Sequence, residues 1–340
     1  MAKVTIEDVA KQADVSIKTV SRVLNKEANV RQQTRDKVLK TIDTLNYQPD
    51  PGARRLAGGR SFLIALLHDS STSGYILDVQ MGALKTCRSE HYELLIHPCD
   101  YLGNMVPEIN ALVDQLRLDG VLLTPPLCDM APLSRALHEK NVPFVSIASG
   151  EGLHASGMVY TNDRGASAEM TSYLASLGHE RIGFIIGHPD HKAVANRFLG
   201  YQDGLKRSGL DFDAKLVAQG FSSFESGVEC GSQLLRQPDR PTAIFASNDE
   251  MAAGIMRAAH QLELRIPQDL SVAGFDDLPL AKQLTPALTT IRQPIRAMAE
   301  TATQLLLSIL RGQTPEAPPM IPCLPQYRES TRRRNGDFRN

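Results

Sequence analysis

Cysteine is scarce and unpatterned. Cys87, Cys99, Cys128, Cys230 and Cys323 are scattered over 340 residues, five in all and never in CxxC spacing. That usage argues against a disulfide framework or a zinc site and fits reduced thiols in a cytoplasmic protein. Long apolar runs are missing too. No stretch reaches the roughly 20 residues of a membrane helix. The first residues lack an apolar core and a cleavage site, so secretion is not expected. There is no GxGxxG after a strand, no P-loop GK and no GxSxG elbow, which removes the usual signatures of an enzyme on a doubly wound fold. His188-Pro189-Asp190-His191 spaces two histidines i,i+3, but in an expected loop with no third ligand evident. No metal and no cofactor are expected.

What is present is ordinary in bulk and uneven in detail. Hydrophobic content of 42% and charged content of 22% are those of a soluble globular protein. The length implies two or three units. The net charge of −1 hides an asymmetry: residues 1–60 hold 12 Lys+Arg against 7 Asp+Glu, the remainder 25 against 31. A basic head on an acidic body suggests that the head meets a polyanion. Charge alone does not separate DNA from RNA or a membrane surface.

The head begins TIEDVAKQADVSIKTVSRVLN, residues 5–25. Thr5 is a good N-cap, and Asp8 completes an acidic variant of the capping box. Ile6, Val9, Ala10 and Ala13 line one helical face. Asp14 breaks the pattern, Val15 plugs the turn, and Ser16 caps a second helix with Val20, Val23 and Leu24 inward. Its outer face carries Ile17, Lys18, Ser21 and Arg22. A dry inner face and a short cationic outer face suit the major groove; an ordinary helical hairpin would show the same periodicity. TRDKVLKTIDTLNY predicts a third helix, capped by Thr34, with Val38, Leu39, Ile42 and Leu45 as its stripe. Gln48-Pro49-Asp50-Pro51-Gly52 ends it. Ala53–Ala57 has room for a turn and a half of helix, too short to stand alone. Leu56 there lies among Arg54, Arg55 and Arg60. It reads either as part of a basic linker or as an apolar wedge for the minor groove.

From Phe62 short strand-like runs (FLIALL, ELLIHP, GVLLT, PFVSIA, MVYT, and later IGFII, KLVAQG, TAIFA, LSVAGF) alternate with amphipathic helical stretches. This alternation predicts parallel sheets covered by helices, in two doubly wound lobes, with a tail that crosses back to the first. Ligands of such sheets sit beyond the carboxyl ends of strands. Those positions hold Ser71–Tyr75, Asn162-Asp163, His188–Arg197, Asn248-Asp249 and Phe275-Asp276-Asp277. Amides, carboxylates, an arginine and aromatics are what a polyhydroxylated ligand requires.

VTIEDVAKQADVSIKTVSRVLN followed by NYQPDPGARRLAGGRS resembles, without gaps, the headpiece and hinge of the lactose/galactose repressor family. The body resembles that family's core as far as YREST, a fold shared with type I periplasmic binding proteins. The resemblance implies an all-α helix-turn-helix headpiece (1–48), a hinge (49–60) and an α/β core (61–340). Lobe 1 would cover about 61–161 and 290–322, and lobe 2 about 162–289 and 323–333. It further implies a transcription regulator, a repressor rather than an enzyme, that binds a near-palindromic double-stranded operator as a homodimer, since no heptad tail follows. Ile17, Lys18 and Arg22 would read bases, while Thr5, Ser16, Thr19, Ser21 and Asn25 would hold phosphates. Ala53 and Leu56 would enter the minor groove. Arg197, Asn248 and Asp276 would be core effector contacts, with Tyr75, Phe221 and Phe224 as walls and Asn162 and Asp163 at the lobe crossover. Asn162 and Ala148 stand where relatives carry acidic residues, so the effector does not transfer by analogy. A sugar is expected; a nucleobase, a nucleoside or a phosphocarrier partner is the alternative.

Overall fold

The computed structural model describes residues 4–24, 29–47, 60–69, 73–148, 155–313 and 319–334. Residues 1–62 and 63–340 are separate compact units.

In the first unit, α1 (Ile6–Gln12), α2 (Ile17–Leu24) and α3 (Gln32–Leu45) surround a small core. The capping box forms: the Thr5 amide donates to Asp8 Oδ2 at 2.8 Å and the Asp8 amide to Thr5 Oγ1 at 3.4 Å. Asp14 takes a left-handed φ of 49° to turn the chain, and the Thr19 amide donates to Ser16 Oγ at 3.1 Å. Val9, Ala10, Ala13, Val20, Val23, Val38 and Tyr47 are buried together. Two expectations for α3 change. It starts at Gln32, ahead of Thr34, because Gln32 Nε2 donates to Asp36 Oδ1 (2.8 Å) and supports an earlier first turn. Leu39 points outward and is 44% exposed, while Thr41 is buried in its place. Asn25, Ala53 and Leu56 lie outside the described residues.

The second unit is built on two six-stranded sheets. The first comprises β1 (Leu63–His68), β2 (Glu93–Pro98), β3 (Gly120–Leu123), β4 (Phe144–Ile147), β5 (Gly157–Thr161) and β11 (Met320–Ile321), in the order β11-β5-β4-β3-β1-β2. The second comprises β6 (Ile182–Ile186), β7 (Val217–Gln219), β8 (Ala243–Ala246), β9 (Ser271–Asp276), β10 (Thr289–Arg292) and β12 (Leu324–Gln326), in the order β12-β10-β9-β8-β6-β7. Only the β10–β12 pair is antiparallel among the pairings described. The two orders are the same doubly wound plan, repeated. Their central strands are fully buried, which is why they read as unbroken apolar runs.

Helices α4 (Ser73–Ser89), α5 (Met105–Leu116), α6 (Ala131–Glu139) and α12 (Ile295–Leu310) cover the first sheet. Helices α7 (Asp163–Ser176), α8 (Lys192–Arg207), α9 (Phe224–Leu235), α10 (Asp249–Gln261) and α11 (Pro279–Gln283) belong to the second lobe. The expected return to lobe 1 at 290 is displaced, because β10 stays paired with β9 through Arg292. The chain crosses back only at Gln293-Pro294, where the hydrogen bonds to β9 end. The closing segment is locked into lobe 2: Ser330 Oγ donates to Val272 O (2.6 Å) and accepts from the Thr289 amide (2.7 Å).

Candidate functional site

A cavity of about 60 Å³ lies between the lobes, at the carboxyl ends of both sheets. Asp69 follows β1, Tyr75 and Ile76 open α4, Pro125 follows β3 and Ala148 follows β4. From the second lobe come His191, Ala193, Val194 and Arg197 around the start of α8, Ser222 after β7, Asn248 after β8 and Asp276 at the end of β9. Gln293, on the crossover, completes the wall.

Arg197 is held before any ligand arrives. Its Nε donates to Asp163 Oδ2 (3.2 Å) and its Nη1 to Ser247 O (2.5 Å), and Asp276 Oδ1 lies 3.5 Å from Nη1. The guanidinium carbon sits 3.7 Å from the centroid of the Phe275 ring, a cation–π contact on one face. Desolvation works against its charge, and Asp163 and Asp276 outweigh it.

Asp276 reaches the cavity through an unusual backbone: its φ is 113° and that of Asp277 is 58°. Such a conformation persists only when neighbours enforce it. Here Asp277 bonds Arg292 and Arg328 at 2.7 and 2.5 Å, and buried Asp249 accepts the Leu278 amide at 2.8 Å. Burial pushes the Asp276 carboxyl up to about 7, against the pull of Arg197. Burial likewise lowers His191 to about 4, helped by His188 and Arg197, so its imidazole is neutral at pH 7. Among the described residues, three lining side chains keep buried polar atoms with no hydrogen-bond partner: Tyr75 Oη, Asp276 Oδ1, and both amide atoms of Gln293.

The residues singled out from sequence divide into three groups. Tyr75, Arg197, Asn248 and Asp276 line the cavity. Asn162 and Asp163 stand behind it: the Asn162 amide oxygen accepts from the Cys323 amide (2.6 Å), clamping two crossover segments, and Asp163 braces Arg197. Their side chains are spent on the protein itself. Phe221 and Phe224 are not lining residues; they are 55% and 40% exposed, Phe221 edge-on to His188. Asp69, Ser222 and Gln293 line the cavity without having been singled out. Gln293 directly follows β10 (Thr289–Arg292), so the strand-end rule finds it once that strand is placed in the second sheet. His188 is outside the lining and bridges the lobes to Tyr101 Oη at 2.7 Å. Among the described residues no cluster of three metal-ligating side chains occurs.

In the headpiece Ile17 and Lys18 are exposed on α2, Ser21 and Arg22 half-buried, and the Ser16 and Thr19 hydroxyls lie 2.9 Å apart. Thr5 is exposed at the start of α1.

Residues 5–50 match the family of bacterial regulatory proteins of lacI type, and residues 171–331 match a periplasmic binding protein-like domain. The HTH-type transcriptional repressor PurR of Photobacterium profundum is 32% identical, covering 92% of this chain and 93% of its own length. The probable HTH-type transcriptional repressor ExuR of Bacillus subtilis is 33% identical over 90% and 92%. Among solved structures, a lac repressor dimer bound to operator and the anti-inducer ONPF superposes with a TM-score of 0.74 at 28% identity, covering 97% of this chain and all of that one. A complex of the transcriptional regulator CelR with cellobiose gives 0.74 and 28%, over 96% of this chain and all of that one. No helix among the described residues is long and apolar enough to cross a membrane. Because likeness at this level runs from the headpiece through both lobes, the chain belongs to the lacI family of bacterial regulatory proteins and is a DNA-binding transcriptional repressor, not an enzyme.

Proposed function

We propose that a carbohydrate bound between the lobes sets the affinity of this repressor for its operator. The observation that carries the reading is the set of unpartnered polar atoms on Tyr75, Asp276 and Gln293, which come from lobe 1, lobe 2 and the crossover and face one cavity. A ligand with adjacent hydroxyls, each both donor and acceptor, satisfies all three and ties the lobes together. The CelR–cellobiose complex is a family relative solved with such a molecule.

The reader acts as a homodimer in the cytoplasm, on a near-palindromic duplex. Ile17, Lys18 and Arg22 contact bases, Arg22 suiting a guanine through paired bonds. Thr5, Ser16, Thr19, Ser21 and Asn25 contact phosphates, and Ala53 and Leu56 enter the minor groove. Lobe closure changes how the two first lobes of the dimer meet, and so whether the paired hinges can fold on DNA. This is linkage between two sites through one two-state element. Induction, with ligand weakening the operator complex, is the expected sign.

The test is operator affinity of the full-length protein, by fluorescence anisotropy, against a panel of mono- and oligosaccharides. At least one sugar should shift affinity tenfold or more, and Arg197→Lys should abolish that shift. A shift produced by nucleobases and by no sugar would sink the carbohydrate reading.

A further inference from the structure

His188-Pro189-Asp190-His191 belongs to no cluster of three metal-ligating side chains among the described residues. Its first histidine faces lobe 1 instead. Two hydrogen bonds cross from lobe 1 to this segment. The Tyr101 hydroxyl, three residues beyond β2, meets His188 Nε2 at 2.7 Å, with the two rings edge-on and 5.7 Å apart. Asp129, closing the short turn Leu127–Asp129 beyond β3, accepts the Lys192 amide on Oδ2 at 3.2 Å. Lys192 opens α8, the helix that carries Arg197.

Each half of the Tyr101–His188 contact is anchored in its own lobe. The Tyr101 ring packs on the apolar core of lobe 1. His188 is fixed twice in lobe 2: its amide donates to Ser222 Oγ (2.9 Å), and its Nδ1 accepts the Asp190 amide (3.2 Å). With Nδ1 accepting, the ring proton lies on Nε2, so His188 donates to Tyr101 Oη. Ser222 lines the cavity, and its carbonyl accepts Nδ2 of Asn248, another lining residue, at 2.9 Å. His188 is therefore one hydrogen bond from the cavity wall on one side and one from lobe 1 on the other.

We propose that Tyr101 and His188 form a latch between the lobes beside the cavity, which holds the closed arrangement that the ligand selects. The proposal rests on the reading that lobe closure sets operator affinity, and it is independent of the class of ligand. A ligand settled against Ser222 and Asn248 steadies the platform from which His188 reaches across. One hydrogen bond biases an equilibrium by roughly fivefold, so the latch alone leaves an empty cleft free to open. A covalent link at the same place removes the open state without any ligand.

The experiment uses the full-length protein carrying Tyr101→Cys and His188→Cys together. The five native cysteines are buried, so a short bismaleimide reacts at the introduced pair, and intact mass separates one bridging linker from two half-reacted ones. Operator affinity is then read by anisotropy, before and after bridging, on a duplex selected by the wild-type protein, with no ligand added. Bridged protein should predominate, and its operator affinity should shift at least fivefold. Each single variant treated with the linker should stay within twofold. Half-reacted protein as the main product overturns the latch and leaves the closure reading standing. A bridged protein with a smaller shift overturns both. Tyr101→Phe decides the matter if the double variant fails to fold, because it removes the hydroxyl and keeps the ring. Amide exchange in the peptide covering residues 188–192 should then quicken at least threefold, and slower or unchanged exchange overturns the latch.

Discussion

At the scale of single residues, the balance around Arg197 is the feature most open to test. The Asp276 carboxyl titrates near 7 in the folded protein because it is buried, against about 3.9 in an unfolded chain. A raised carboxyl favours the folded state when protonated. Its contribution is therefore complete below about pH 4 and is lost as pH climbs through 7. Asp276→Asn removes that titration, so the variant should gain stability relative to wild type between pH 5 and 8, by on the order of 1–3 kcal/mol. Thermal melts of both proteins across that range check it; a difference independent of pH would mean that Asp276 is ionised throughout. The same neighbourhood shows how far single residues were legible. Asn248 follows β8 and Asp276 ends β9, and strand ends can be read locally; Arg197 lies on α8, the helix that follows β6. Asn162 also follows a strand, yet its side chain is taken by Cys323, 161 positions away. Nothing near Asn162 in the sequence announces that partner.

At the scale of elements, the glycines of α8 set how closely it meets α7. A Cβ on Gly200 would fall 2.3 Å from the Arg164 carbonyl oxygen, and one on Gly204 2.5 Å from the Thr171 Cβ. The helix backbones are in contact at these positions, and neither obstacle is a movable side-chain tip. Gly200→Ala should destabilise the core by about 1–3 kcal/mol, the usual cost of overpacking, and denaturant unfolding would report it. Arg197 is one turn before Gly200 and Asp163 begins α7, so the forced separation should also lengthen the Arg197–Asp163 bond and weaken whatever ligand the cleft takes. The periodicity of α8 marks it as a helix, but a glycine in a helix reads simply as a weak position. That it is a contact surface emerges only when the partner helix is in place.

At the scale of the whole molecule, the two units have separate cores. Val9, Val20, Val23 and Val38 are buried within residues 1–62, and the lobe cores draw on residues beyond 63. Deletion of residues 1–62 should therefore abolish sequence-selective retention of duplex DNA. It should leave the melting temperature of the core within about 2 °C of its value in the full chain, a shift of about 1 kcal/mol for a unit of this size. Gel-shift assays and differential scanning calorimetry on the truncated protein measure both. A truncated core that still distinguishes one promoter from another would contradict the assignment of DNA binding to the headpiece.

By itself the amino-acid order determined the class of the longer helices and the main strands, the reader at the front and the doubly wound pattern behind it, but not the short helix Pro279–Gln283 or the edge strands β11 and β12. Capping, helical periodicity and buried-strand composition act over a few residues. Folding in three dimensions decided which side chains share the cavity. It turned Phe221 and Phe224 toward solvent, spent Asn162 on a crossover clamp, kept β10 in the second sheet and brought in Asp69 and Gln293. The physical reason is range. A hydrogen bond between residues about 160 positions apart, or a carboxylate aimed by a backbone bend that distant arginines stabilise, depends on how the sheets pack, and no local pattern encodes that.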